Sequence, residues 1–162
     1  MKKNEVYNLT KASMLLSVAL LFQFIKLGQF FTGTGINATL IIATSLCGPW
    51  WAASIGAITP FFAVILGVLP PAIVPIVPFI ITSNILYVLT FYYIKDKNQY
   101  AAIGISAFVK FMLLYVVVHY IIVKVPAPIK LAMSTPQLVT AISGGILALI
   151  IIKIVKHLQK NS

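Results

Sequence analysis

The stretch from Gly48 to Asn84, GPWWAASIGAITPFFAVILGVLPPAIVPIVPFIITSN, constrains this chain more than any other. It carries no charged residue, yet Pro49, Pro60, Pro70, Pro71, Pro75 and Pro78 interrupt it. An apolar run this long belongs in lipid or in the interior of a membrane protein. The prolines cut it into two spans joined by a short turn. Breaks at membrane depth are tolerated only where protein or a cavity covers the freed backbone groups. The run closes on Asn84, a polar side chain deep in the second span, so this re-entering pair is expected to enclose something.

Composition extends the reading to the whole chain. Its 162 residues are 60% hydrophobic and 9% charged, which leaves little room for a soluble domain. The net charge is +10, and all twelve basic residues are lysine. They are dispersed at the ends of apolar spans, so they read as topology and headgroup contact, not as a nucleic-acid surface. The only acids, Glu5 and Asp96, fall outside the spans. That excludes a carboxylate dyad, an acidic metal site and an embedded acid for proton or sodium coupling. A lone Cys47 excludes an intrachain disulfide and a CxxC redox motif. His119 and His157 lack metal-ligand spacing. No cofactor and no catalytic activity are expected.

The predicted fold is all-α: one polytopic domain over residues 1–162, with six transmembrane helices and short tails at 1–8 and 154–162. The spans are expected at roughly 9–31, 37–47, 50–67, 74–93, 100–123 and 134–153, with a loop over Phe31–Gly35 and a turn at Gly48-Pro49. The first span is too long for a signal-peptide core, and no A-x-A-like cleavage site follows it. Pro60 is the expected kink of the third. Ser134-Thr135-Pro136-Gln137 looks like a helix start, with Ser or Thr as cap and Gln137 three residues after Ser134. Six spans put both termini on one side. If that side is the cytoplasm, eight lysines are inside (Lys2, Lys3, Lys11, Lys95, Lys97, Lys153, Lys156 and Lys160) and two, Lys124 and Lys130, are outside. This N-in, C-in arrangement obeys the positive-inside rule and its inverse violates it.

Lys110 is the most informative residue. It lies eleven residues after Gln99, about 16 Å into its span at 1.5 Å per residue. A lysine at that depth costs about 2.5–3.5 kcal/mol on insertion scales. It either snorkels or bonds a backbone carbonyl, or it faces a polar cavity and meets an anionic ligand or a partner. Asn84 sits at a similar depth in the neighbouring span. Gln23, Lys26 and Gln29, three residues apart, are expected on one arc of the outer half of span 1, either as interfacial anchors or at the mouth of a site. Asn37 and Gln137, each at the outer start of a span, are expected at the same mouth. His119 and Tyr120 fall near the outer interface, and His119 is carried as a further candidate for ligand contact. Ser13 and Ser17, with Ala12 and Ala19 nearby, form a small-residue face that permits close helix approach.

With those residues in view, the chain resembles a substrate-binding S-component of energy-coupling factor (ECF) vitamin transporters. The resemblance rests on the six-span layout, the small face of Ser13 and Ser17, Gly35-Ile-Asn37, Leu46-Cys-Gly-Pro49-Trp, Pro78-Phe-Ile, Ser83-Asn84, Val109-Lys110-Phe and Pro136-Gln137-Leu-Val-Thr-Ala141. Serines stand where such proteins carry an Ala-xxx-Ala pair. The resemblance implies a subunit of the bacterial plasma membrane that captures a vitamin or similar micronutrient between its outer loops and spans 4, 5 and 6. It implies docking of a transmembrane scaffold on the face of span 1, and two cytoplasmic ATPases. The chain has no G-x-x-x-x-G-K-[ST] of its own. A structural or accessory membrane protein is the alternative, and it predicts that Lys110 and Asn84 tolerate replacement. A lipid-modifying membrane enzyme would want clustered acids, histidines or cysteines. Lys110 tilts the expected substrate toward a carboxylate, a phosphate or another strong acceptor.

Overall fold

The computed structural model describes residues 3–25, 27–122 and 125–160. The chain order is α1 (Lys3–Phe24), α2 (Gln29–Leu46), α3 (Pro49–Ile65), a 3₁₀ segment (Pro71–Ile76), α4 (Val77–Ile94) and α5 (Gln99–Val116). A π-helical turn (Val117–Ile121), the short α6 (Ala127–Ala132) and α7 (Thr135–Lys160) follow. The six long helices stand in the order of the six expected spans. Three segments, Pro71–Ile94, Gln99–Ile121 and Ala127–Leu158, are long and apolar enough to cross a bilayer; Pro49–Ile65 is apolar but shorter.

The first boundary differs from expectation. Span 1 was expected to reach Phe31, with a loop over Phe31–Gly35, but α1 ends at Phe24 and α2 already begins at Gln29. Gly28 makes the break at φ 86°, a left-handed conformation that glycine adopts without steric cost. Gly33 and Gly35 then sit inside α2, at a helix-propensity cost of about 1 kcal/mol each. Packing overrides it: a Cβ on Gly35 would lie 2.6 Å from the Phe22 ring, and one on Gly33 3.1 Å from Thr140. The helix start at 135 agrees with the sequence, but its device differs. The Ser134 hydroxyl turns back to donate to Lys130 O (2.6 Å) and does not close a capping box. Asn98 is a true cap, its Oδ1 accepting from the Tyr100 and Ala101 backbone N–H groups at 2.9 and 3.1 Å.

Helix α2 is the axis of the bundle. Every residue from Asn37 to Thr44 is buried, so no face of this segment meets lipid. It packs most extensively on α7 and also touches α1, α3 and α4. Gly144 of α7 permits the closest approach, since a Cβ there would lie 2.7 Å from Asn37 Cβ and 2.7 Å from Thr34 O. Tyr87, Phe91, Leu40, Ile41, Ala141 and Leu149 fill the main core. Outer helix faces expose Met14, Phe61, Phe62, Ile105, Phe108, Ile146 and Ile150, side chains that suit lipid. A second apolar cluster, with Ile73, Ile76, Leu114, Val118, Ile129 and Met133, joins the 3₁₀ segment and α6 to the end of α5. A cavity lies at the end where these loops gather.

Candidate functional site

The floor of the cavity begins with a proline. Pro60 has no N–H, so within α3 the carbonyl four residues earlier, Gly56 O, loses its helical donor. Asn84 Nδ2 of α4 supplies one at 2.9 Å. That bond settles the Asn84 amide: its nitrogen faces a carbonyl, so its oxygen faces away. Asn84 Oδ1 accepts from Lys110 Nζ of α5 at 2.7 Å, and Lys110 Nζ also donates to Asn37 Oδ1 of α2 at 2.6 Å. Asn37 Nδ2 reaches Thr140 Oγ1 of α7 at 3.5 Å, the long limit of a hydrogen bond. The Tyr87 ring lies 5.3 Å from Lys110 Nζ, within cation–π range, while its hydroxyl donates to Ala141 O at 2.8 Å. One polar chain thus ties α3, α4, α5, α2 and α7 together at the centre of the bundle. Lys110 is only 4% exposed. Gly56 makes room for Asn84, since a Cβ there would sit 3.0 Å from Asn84 Cβ.

Above this floor lies a cavity of about 420 Å³, within the usual range for small-molecule sites. Lys110, Asn84, Asn37, Gln23 and Gln137 all line it. Asn37 belongs to the floor and not to the mouth, because α2 starts earlier than expected and carries it eight residues into the helix. Gln23 is buried on α1, its Nε2 donating to Thr59 O at 3.1 Å. Gln23 Oε1 is buried without a hydrogen-bond partner. The remaining wall is mostly aliphatic, with Ile36, Ala63, Leu69, Ile73, Ile80 and Ile129 among its residues.

Three expectations need correction or restriction. Gln23 and Gln29 do not share an arc of one helix: Gln29 opens α2, and its Nε2 donates to Ala132 O at the end of α6, 2.6 Å away. Lys26 lies outside the described residues. His119 does not line the cavity; it is exposed on the π-helical turn and stacks on Tyr115 with ring centroids 4.2 Å apart. Sequence reasoning missed Thr32 and Thr59 as lining residues and Thr140 as the partner of Asn37. The residue four before Pro60 was a legible signal for a backbone acceptor, but not for the side chain that finds it.

Ser13 and Ser17 are exposed on α1, while Ala12 and Ala19 on the same helix are buried. The Ser17 hydroxyl donates to Ser13 O at 3.0 Å, so its polarity is satisfied within the helix and a small, smooth surface faces outward. Neither carboxylate of the chain lines the cavity, and Asp96 pairs with Lys95 at 3.1 Å in the α4–α5 turn. Among the described residues no three His, Cys, Asp or Glu side chains converge as metal ligands. The arrangement could hold a small molecule: one deep lysine on an amide platform, a largely apolar wall, and loop residues over the top.

Comparison with known protein families gives one match. The model of the family described as ECF transporter, substrate-specific component, matches residues 7–156. No curated protein and no solved structure matches the chain.

Proposed function

Since the chain belongs to the family of substrate-specific components of ECF transporters, a multi-pass membrane family of binding subunits and not of enzymes, we propose that its cavity captures a vitamin-like micronutrient for an ATP-driven importer. The protein presents the solute to a transmembrane scaffold subunit and two cytoplasmic ATPases in a bacterial plasma membrane. One observation carries the reading: Lys110 is buried between Asn37 and Asn84 at the floor of a cavity of about 420 Å³, with no carboxylate beside it. A buried lysine is costly in a membrane span, and here two neutral amides and no carboxylate meet it. Lys110, Asn84, Asn37, Gln23 and Gln137 contact the solute, and Ser13 and Ser17 receive the scaffold.

The cavity faces outside in this reading, and both termini are cytoplasmic. The end opposite the cavity carries Lys95, Lys97 and the lysines after Ala148, and it exposes Trp50, Tyr93 and Tyr100 as interfacial rings. The test is denaturing release of small molecules from the purified protein, read by mass spectrometry. A species released in near-equal amount to the protein, and lost from Ala63→Phe, which intrudes on the cavity, supports capture. A wild-type protein that releases nothing after growth in rich medium overturns it.

A further inference from the structure

Resting on the capture reading, we infer the chemical class of the solute: a compact aliphatic monocarboxylate that also carries an N–H or O–H donor. Its carboxylate sits on Lys110 and its donor on Gln23 Oε1.

The first half follows from charge. An ammonium has three N–H groups, and Asn37 and Asn84 take two. Lys110 lines the cavity, which leaves its remaining N–H for the occupant. Asn37 and Asn84 offer dipoles and no charge, so the site lacks an anion. It is the only basic side chain among the described lining residues. One carboxylate makes the floor neutral. A phosphate dianion would leave an uncompensated negative charge against an apolar wall, which low-dielectric surroundings penalise.

The second half follows from an unused acceptor. Gln23 is 4% exposed. Its Nε2 is committed to Thr59 O at 3.1 Å, and because a carbonyl only accepts, the amide cannot be turned round. Gln23 Oε1 is therefore a buried acceptor without a donor, on a residue that lines the cavity. Such atoms are rare, and a bound group that donates to one removes a penalty already present in the empty protein. The wall decides the body of the molecule. The described lining has no Phe, Tyr or Trp, only branched aliphatic, alanine, proline and methionine surfaces beside the polar set. A large flat ring system would find no aromatic face to stack on, whereas a saturated body suits these surfaces.

The experiment offers purified protein, stripped of endogenous solute, an equimolar pool of four matched probe sets. These are hydroxy- and acylamino-alkanoic acids, the same acids without hydroxyl or amide, the primary carboxamides of the first set, and alkyl phosphate esters. Retention is read by native mass spectrometry on wild type, Lys110→Met and Gln23→Leu, each checked for folding. In the wild type the donor-bearing acids should exceed their carboxamides by about tenfold or more, the scale of one charge-assisted hydrogen bond. Lys110→Met should erase that preference, and Gln23→Leu should erase only the preference for acids with a donor. Should Lys110→Met fail to fold, Lys110→Gln replaces it, and the wild-type ranking decides by itself. Carboxamides retained as well as acids, phosphate esters retained in preference, or no probe retained would each overturn the inference. If the wild type nevertheless releases an endogenous species of another class, capture stands and only the assigned class falls. If it releases nothing, both fall.

Discussion

Replacing Asn84 should cost stability in a way that depends on Pro60. Asn84→Leu keeps an apolar body of similar size and removes both bonds of the amide. Gly56 O, left without a donor by Pro60, then stays unpaired inside the bundle, at a cost of about 1–3 kcal/mol. Lys110 loses one charge-assisted bond, worth about 1.5–3 kcal/mol, which water in the adjoining cavity partly replaces. The expected loss is about 2–4 kcal/mol. Pro60→Ala supplies an N–H that can reach Gly56 O along the helix. In that background Asn84→Leu forfeits only the Lys110 bond, so its effect should shrink by about 1–3 kcal/mol. The assay is a double-mutant cycle by reversible denaturant titration in mixed micelles. Additive effects, with a coupling below about 0.5 kcal/mol, would refute the claim that Asn84 serves the carbonyl freed by Pro60.

Gly144→Ala should destabilise by about 2–4 kcal/mol in the same titration, the scale of overpacking and backbone displacement, because its Cβ would meet Thr34 O at 2.7 Å and Ala38 N at 2.8 Å. Gly104→Ala, with nothing within 4 Å of the added carbon, should instead gain up to about 1 kcal/mol of helix propensity. Cysteine labelling of intact cells should modify a residue placed at Pro128 and spare one at Asn98; modification at 98 from outside would reverse the assigned orientation. Ser17→Trp should leave the isolated protein folded, because Ser17 is exposed, and should block co-purification with scaffold and ATPases. A Ser17→Trp protein that still assembles and supports uptake would move the docking face elsewhere.

The meeting of Lys110 with Asn84 was legible in the sequence because intramembrane charge is rare enough to be read singly. Counting residues from each span's end gives a depth, and two antiparallel neighbours with polar groups at one depth tend to meet. The break between α1 and α2 was not legible. Residues 27–36, LGQFFTGTGI, join two phenylalanines to a glycine-rich run, and local preference reads that run as a loop. It is helical because Gly33 and Gly35 are required by contacts with Thr140 and Phe22, which no local window contains. One misplaced boundary then moved two site assignments. It put Gln29 on the helix of Gln23, and it put Asn37 at the mouth when the earlier helix start carries it about 12 Å inward.

His119 shows the opposite limit. Nine residues from Lys110 on a helix, it faces nearly the other way, and the structure turns it outward against Tyr115. Its chemistry made it a candidate, but helical phase was the stronger evidence. Phase is equally what makes the cavity floor a joint property of fold and site. Asn37, Asn84 and Lys110 come from three helices, and each satisfies the others before any solute arrives. Two amide oxygens orient one ammonium, and the same two amides run on to a carbonyl exposed by Pro60 and to the hydroxyl of Thr140. A cation held this way loses little freedom when an anion binds, so binding energy is not consumed in ordering it. The proline inside α3, the two asparagines and the lysine therefore belong to one device. Its polar groups secure the bundle from inside, and Lys110 at its centre lines the cavity.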